Sequence, residues 1–498
     1  MTRECHPDVW IRLPAAEERE VVNLIILGKG ARNMNSFVRT RREFLRLMGL
    51  GAASMAVPRL ACAARASRKK PNILFILIDD LGWSDVGCYG NQFHETPNVD
   101  RLARQGMRFT DAYAACPVCS PTRASILAGQ YPARVGVTDF IPGHWRPYEK
   151  LKVPINRQQY LPLETVTLPE VLKQAGYVTG HIGKWHLGGR QHSPRNQGFD
   201  YVTSGVRNRN DKQVTGFTDA AIKFISENRD KPFFLHLSHH TVHIPLEAPK
   251  ELIEKYERKP KPGDGVNNPV YAAMIEHLDS SIGRILKKLN ELGLANDTVV
   301  VFFSDNGGLR QRFDGKGTTV TTNAPLRDEK GTLYEGGIRE PLIVRWPGVV
   351  KPGSVCSVPV SSVDVCPTFL ETAGVKGDPS HVLDGESLLP LLKQTGELKR
   401  DAVFWHYPHY HHSTPAGAIR TGDWKLIEFF EDNRLELYNL KTDIGEKNNL
   451  AQEMPEKARE LQWRLAGWRR SVKADMPTPN PDFDRARRYE WGRHPRRR

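Results

Sequence analysis

Apolar positions along this chain fall into two kinds of pattern. Asn72-Ile73-Leu74-Phe75-Ile76-Leu77-Ile78, Pro232–Leu237, Thr298–Phe303 and Leu342–Arg345 are short runs with little polar alternation. Such runs predict strands buried on both faces of a parallel sheet. Gly176–Gly180 reads as a further short strand. Between them lie stretches of helical spacing: a capped segment from Thr96 to Gly106, Thr122–Ala128, Leu168–Leu172, Asp219–Asn228 and a long amphipathic one from Tyr271 to Leu292. Alternating strands and helices predict an α/β domain around a mainly parallel sheet. After a charged linker at Lys393–Arg400, the pattern changes. Ala402–Trp405, Gly417–Arg420, Trp424–Ile427 and Leu435–Tyr438 predict a small antiparallel sheet, packed by a helix near Pro455–Trp468.

The polar residues that follow the apolar runs carry the candidate chemistry, because open parallel sheets build their sites past the carboxyl ends of strands. Asp79-Asp80 end the first run. Two adjacent carboxylates there are costly unless a cation neutralises them, although a helix N-cap pair is the plainer alternative. Asp305-Asn306-Gly307-Gly308 end the run at 298–303 and offer hard oxygen ligands on a tight turn. His181-Ile182-Gly183-Lys184-Trp185-His186 follow the short strand. If the strand continued, its period of two would point Lys184 and His186 the same way, toward an anion and a proton. His239, His240 and His243 follow the run at 232–237; they suit either zinc or a single catalytic His243. Lys330 leads a Gly-rich turn to Glu335.

One stretch ties these together: Cys119-Ser120-Pro121-Thr122-Arg123, running on to Leu127-Ala128-Gly129. Pro121 suits a first helical turn and Gly129 a left-handed cap. Cys119 therefore sits at a helix N-terminus, where backbone donors favour negative charge. Arg123, about one turn on, is placed to reach back to it.

The Cys-x-Pro-x-Arg motif followed by Leu-x-Gly resembles the signature of the type I sulfatases, with Thr122 at a position where that family usually has serine. The stretch from Asp79 to Gly348 is similar to that family throughout, nearest to its arylsulfatase and glycosaminoglycan-type branches. The resemblance implies an alkaline-phosphatase-like α/β sandwich, with the smaller antiparallel-sheet subdomain after it. It implies that Cys119 is oxidised to Cα-formylglycine by a formylglycine-generating or sulfatase-maturating enzyme. Asp79, Asp80, Asp305 and Asn306, with the modified Cys119, would hold one Ca2+. Arg123 would orient the formylglycine, and Lys184 and Lys330 would clamp sulfate oxygens. His186 would hold the hydrate and take the proton that expels sulfate, and His243 would protonate the leaving alcohol. The implied activity is hydrolysis of sulfate esters of a carbohydrate, and of aryl sulfates. A phosphomonoester or phosphodiester hydrolase of the same superfamily is the first rival, since both lysines serve either anion. A non-enzymatic sulfated-glycan binder is the second. His409 and His411, in the loop His406–His412, are expected to read the sugar as part of a pocket wall.

Charge changes the picture only at the ends. Of the net +14, residues 1–70 hold 14 Lys and Arg against 6 Asp and Glu, and residues 481–498 hold 7 against 3, which leaves +2 on residues 71–480. A nearly neutral body gives no reason to expect nucleic-acid binding. Arg41-Arg42-Glu43-Phe44-Leu45-Arg46, a short apolar run and Ala61-Cys62-Ala63 have the form of a twin-arginine export signal. The expected organisation is a leader over 1–66 with its true start at Met34, a catalytic domain over 71–392, a subdomain over 401–478, and a basic, disordered tail over 479–498. The expected location is periplasmic or secreted, reached through the twin-arginine machinery. No transmembrane segment is expected. Without the leader, Cys88, Cys116, Cys119, Cys356 and Cys366 remain. Cys356 and Cys366 are candidates for a disulfide.

Overall fold

The run Asn72–Ile78 is a strand buried at every position, and its alternate residues feed two different cores. Leu74, Ile76 and Ile78 pack with the helices Val214–Glu227 and Pro269–Glu291. Ile73, Phe75 and Leu77 pack on the other face, with the helices Cys119–Ala128 and Val365–Thr372. A strand with no polar face needs cover on both sides, and each fully buried side chain of this size contributes roughly 1.5–3 kcal/mol.

The computed structural model describes residues 70–204, 210–263, 265–312, 317–376 and 381–495. Met34, Arg41, Arg42, Cys62 and the expected cleavage site lie outside the described residues. In chain order the strands are β1 (Asn72–Ile78), β2 (Met107–Tyr113), β3 (Leu151–Lys152), β4 (Val178–Gly183), β5 (Tyr201–Thr203), β6 (Phe233–Ser238), β7 (Thr298–Ser304) and β8 (Arg339–Arg345). They are followed by β9 (Ser354–Cys356), β10 (Val360–Ser361), β11 (Ala402–Tyr407), β12 (Ala416–Thr421), β13 (Trp424–Phe429), β14 (Leu435–Asn439) and β15 (Thr478–Pro479). The large sheet has the order β10-β2-β8-β7-β1-β6-β4-β5, with β9 also on β2. Its centre is parallel, and β8 runs antiparallel to both β2 and β7. Strands β11 to β14 form the separate antiparallel sheet, backed by the helix Pro455–Ser471. This is the α/β architecture expected.

Several local expectations change. Strand β2 has no apolar run, since Arg108, Thr110 and Asp111 interrupt it; pairing with β8 makes it a strand. Cys356 and Cys366 are free thiols. The small sheet shares a core with the large one: Trp405 is fully buried beside Tyr113 and Ile338, and its Nε1 donates to Ala114 O at 2.8 Å. The basic tail is ordered as far as residue 495, and at its start β15 pairs with β3. Among the described residues, no helix is long and apolar enough to cross a membrane.

Candidate active site

Register brings the strand ends level. Ile78 of β1 lies opposite Ser304 of β7, Leu77 lies opposite Ser238 of β6, and Ser238 lies opposite Gly183 of β4. The residues that follow therefore open into one crevice. Asp79 and Asp80 leave β1, with Asp80 at φ 63°. Asp305 leaves β7, and its Oδ1 accepts a hydrogen bond from Asp80 N at 3.2 Å. Gly183 ends β4 at φ 105°, where a Cβ would collide with Ser238 O.

Three carboxylates and three cations meet there, each with one close partner, and Arg123 also stands 3.6 Å from Asp79 Oδ1. Lys184 Nζ lies 2.6 Å from Asp79 Oδ2. Lys330 Nζ lies 2.7 and 2.9 Å from the two oxygens of Asp80. Arg123 Nε donates to Asp305 Oδ2 at 2.9 Å, and its NH1 donates to Ser238 Oγ at 2.6 Å and Lys184 O at 3.1 Å. Burial alone would push the Asp79 carboxyl up, but Lys184, His243 and Arg123 outweigh it and hold the group well below its usual range. Burial also works against the Lys330 ammonium, and Asp80 more than offsets it.

Cys119 is buried at the first position of its helix, which Gly129 closes at φ 65°. Its Sγ is 3.2 Å from His186 Nδ1. The other ring nitrogen, Nε2, lies 2.6 Å from Ile141 O, and a carbonyl only accepts, so Nε2 carries the proton and Nδ1 faces Cys119 as a base. Burial, then Lys184, lowers the His186 pKa to about 3. His243 is held in the complementary way: Nδ1 lies 2.5 Å from Ile244 O, and Nε2 is 3.7 Å from Asp80 Oδ2.

The crevice thus gathers Asp79, Asp80, Cys119, Arg123, Lys184, His186, His243, Asp305, Asn306 and Lys330. Some arrive differently than expected. β4 stops at Gly183, so Lys184 and His186 lie beyond it, and His186 turns in through a left-handed backbone at φ 56°. Arg123 binds Asp305 instead of reaching back to Cys119. His239 is fully buried against Phe217 and belongs to no metal-ligand cluster among the described residues, so the three histidines do not make one site. His409 points inward, its Nε2 2.9 Å from Thr138 Oγ1, and cannot line an open wall. His411 lies beside Gly331, whose φ of 84° and contact with that ring leave no room for a Cβ.

Other contributors had no chemical signal in the sequence. Ile141 acts through its carbonyl. Ser238 Oγ joins Arg123 to Lys184 O, and only its place at the end of an apolar run could have flagged it. His412 Nδ1 lies 2.8 Å from Lys330 O.

A cation fits this donor set. Asp79, Cys119 and Asp305 offer ligand atoms that all lie within 4.8 Å of one another. Asp79 Oδ1 and Asn306 Oδ1 are buried acceptors with no hydrogen-bond partner among the described residues. Asn306 spends its amide on Asp80 Oδ1 (2.7 Å) and Gly307 O (3.0 Å), which leaves its carbonyl oxygen free. Carboxylates and an amide oxygen, without imidazole, select a hard ion.

Known proteins carry the same body plan. The sulfatase family model matches residues 71–375, and the model described as N-sulphoglucosamine sulphohydrolase, C-terminal, matches residues 328–470. A sulfatase of Formosa agariphila is 32% identical, over 85% of this chain and 94% of the relative. Human arylsulfatase A is 34% identical, over 80% of this chain and 87% of its own. Among solved structures, BT4656 in complex with its substrate D-glucosamine-2-N,6-O-disulfate superposes with a TM-score of 0.61 at 27% identity, covering 81% of this chain and 98% of that one. With most of its length matched by that family's own model and relatives, this chain belongs to the sulfatase family and is a sulfuric ester hydrolase.

Proposed function

We propose that this enzyme removes sulfate from a sulfated carbohydrate outside the cytoplasm, using a formylglycine at position 119 and one calcium ion. The observation that carries the reading is the convergence on Cys119. A base nitrogen lies 3.2 Å from its side chain, and two of the crevice carboxylates, Asp79 and Asp305, offer oxygens within 4.8 Å of its sulfur. A cysteine thiol is the wrong nucleophile for sulfate transfer in such a cradle. The hydrate of an aldehyde supplies one hydroxyl to attack sulfur and a second whose deprotonation expels sulfate and restores the aldehyde.

Asp79, Asp80, Asp305 and Asn306 would hold the calcium, which supplies positive charge to the hydrate and to sulfate oxygens. Once their carboxylate partners Asp79 and Asp80 served that cation, Lys184 and Lys330 would be available to the sulfate. Arg123, locked on Asp305 and Ser238, fixes the floor beneath residue 119. His186 takes a proton at Nδ1, because Ile141 O occupies Nε2. His243 presents Nε2 to the leaving oxygen. Nδ1 already donates to Ile244 O, so His243 acts as acid in its imidazolium form, with a second proton on Nε2; burial and Lys330 lower its pKa while Asp80 opposes them, so that second proton is readily given.

The relative solved with D-glucosamine-2-N,6-O-disulfate as its substrate supports a sulfated sugar here. So does the near-neutral body, which offers no long electropositive groove for an internal stretch of polyanion. The twin arginines support export through the corresponding machinery after maturation by a formylglycine-generating enzyme. The test is peptide mass analysis of position 119 in exported, active enzyme, with released sulfate assayed across mono-, di- and polysaccharide sulfates. We expect aldehyde at 119 and faster release from short sugars than from intact polymer. Active enzyme carrying only a thiol at 119, or turnover confined to aryl sulfates, overturns the reading.

A further inference from the structure

The segment after the last helix lies along the loop of residues 139–152. Thr478 and Pro479 pair with Lys152 and Leu151. Asn480 N donates to Lys150 O at 3.1 Å, and its Nδ2 donates to Pro147 O at 2.8 Å and Glu149 O at 2.7 Å. Farther on, Asp484 N donates to Tyr148 O at 3.2 Å and Gly492 N to Trp145 O at 2.9 Å. Side chains seal the seam. Arg488 bridges Glu149, whose side chain is fully buried, and Glu431, each at 3.0 Å. The Trp491 ring takes the Arg146 guanidinium at 4.1 Å and the His144 ring at 4.6 Å.

The same loop sets the base. Ile141 O holds His186 Nε2 at 2.6 Å. Ile141 N donates to Ser120 Oγ at 3.1 Å, and Ser120 Oγ donates to His186 O at 2.8 Å. Asp139 links the two halves: its carboxylate accepts from His144 N at 3.2 Å and from Tyr407 OH at 3.1 Å. On the outer side, His144 packs on His411 at 4.8 Å, the residue wedged against Gly331 next to Lys330. Without the terminal segment, the carbonyls of Trp145, Pro147, Tyr148, Glu149 and Lys150 lose these donors, and among the described residues the ties to the rest of the body come only at the margins of that half, from Leu151 N to Tyr410 OH at 3.1 Å and from the His144 ring to His411.

We propose that residues 478–495 are a strap that positions the active site, holding the 139–149 loop so that Ile141 O fixes His186 toward residue 119. Arg488 and Trp491 are its positioning residues. This rests on the reading of His186 as the base. A displacement of about 1 Å at a reacting group costs about 10²-fold in rate, so a loosened loop acts on turnover before it acts on binding.

The experiment compares full-length mature enzyme with a chain ending at Met476 and with the full-length variants Arg488→Ala and Trp491→Ala. Melting temperature, calcium content and aldehyde content are measured beside kcat and KM for nitrophenyl sulfate, a substrate too small to need a sugar wall. The expected result is a kcat about 10- to 100-fold lower in the truncated chain, a smaller loss in each point variant, and KM nearly unchanged. Adding a synthetic peptide of residues 477–498 restores kcat to the truncated chain, which a general loss of folding would not allow. If the truncated chain does not fold, the two point variants decide alone. Unchanged kcat in them, or a rise confined to KM for sugar sulfates, overturns the strap. His186→Ala in the intact chain separates the two ideas: if it stays active, the base assignment falls and takes the strap with it. If it is dead while strap variants keep full turnover, the strap alone is wrong.

Discussion

Lys330 and Glu335 stand one short turn apart, yet they serve two buried ionic clusters wired in different ways. Around Glu335 every charge is answered and enclosed. Lys425, with no exposed side-chain surface, lies 2.8 Å from both Glu335 and Glu446. Arg420 lies 2.6 Å from Asp111 and also meets Tyr113 OH, which donates to Glu335 at 2.7 Å. This cluster joins the two sheets. Around Lys330 the charges are also paired, but Lys184 opens on the crevice, and two acceptors placed to share a cation, Asp79 Oδ1 and Asn306 Oδ1, have no hydrogen bond among the described residues. A fold does not leave buried acceptors unmet without reason. The first cluster is arranged for stability and the second for binding.

Breaking each cluster should therefore fail in a different way. The largest effect is expected from Asp305→Ala and from Cys119→Ala. Each should lower turnover at least about 10³-fold; Cys119→Ala should leave the melting curve nearly unchanged, whereas Asp305→Ala should also lose bound calcium, read by elemental analysis, and lower the melting temperature because it unpairs the buried Arg123. Stoichiometric zinc in the native enzyme would show the metal to be misassigned. Lys425→Met should do the reverse. It leaves the buried Glu446 without a cation and Glu335 with Arg339 alone, and should cost about 3–5 kcal/mol in denaturant unfolding, while folded enzyme keeps its kcat.

Within the active cluster, His243→Ala sharpens the distinction by substrate. It should slow sugar sulfates about 10²-fold and nitrophenyl sulfate far less, because a good leaving group needs little protonation. Equal losses on both would remove His243 from the role of acid.

The smallest effect should come from Glu340, which lies on β8 between the clusters. It is fully buried, and both its oxygens lack partners among the described residues. Burial, with Asp305, Asp80, Asp85 and Glu335 near it, raises its pKa well above the ordinary 4.5. The folded state keeps a proton that the unfolded chain releases above that pH. Stability is thus lost as pH rises from there, by about 1.4 kcal/mol per unit. Glu340→Gln should leave stability unchanged at about pH 4 and raise it progressively as pH climbs above the ordinary carboxylate range. A gain at acid pH as well would mean that packing, not protonation, governs the site.

Much of this architecture is legible in the amino-acid order alone, because it is written in short-range pattern. An apolar run with no polar face can only be a doubly covered strand, so β1 and β7 are evident, and with them the position of Asp79, Asp80, Asp305 and Asn306 at strand ends. Pro121 and Gly129 mark the helix that starts at Cys119. What pattern cannot supply are contacts between segments far apart in the chain. Arg123 looks close to Cys119 by helical spacing, but the stronger partner is a carboxylate that only β7 brings near. The proton on His186 is assigned by a backbone carbonyl at Ile141, which has no side-chain signature at all. The tail reads as disordered because its arginines outnumber its apolar residues, and it is ordered because Glu149, Glu431 and the loop backbone supply partners from elsewhere. Local periodicity decides which residues can stand at a site; the register of the sheet, and the electrostatics of what it buries, decide which of them meet.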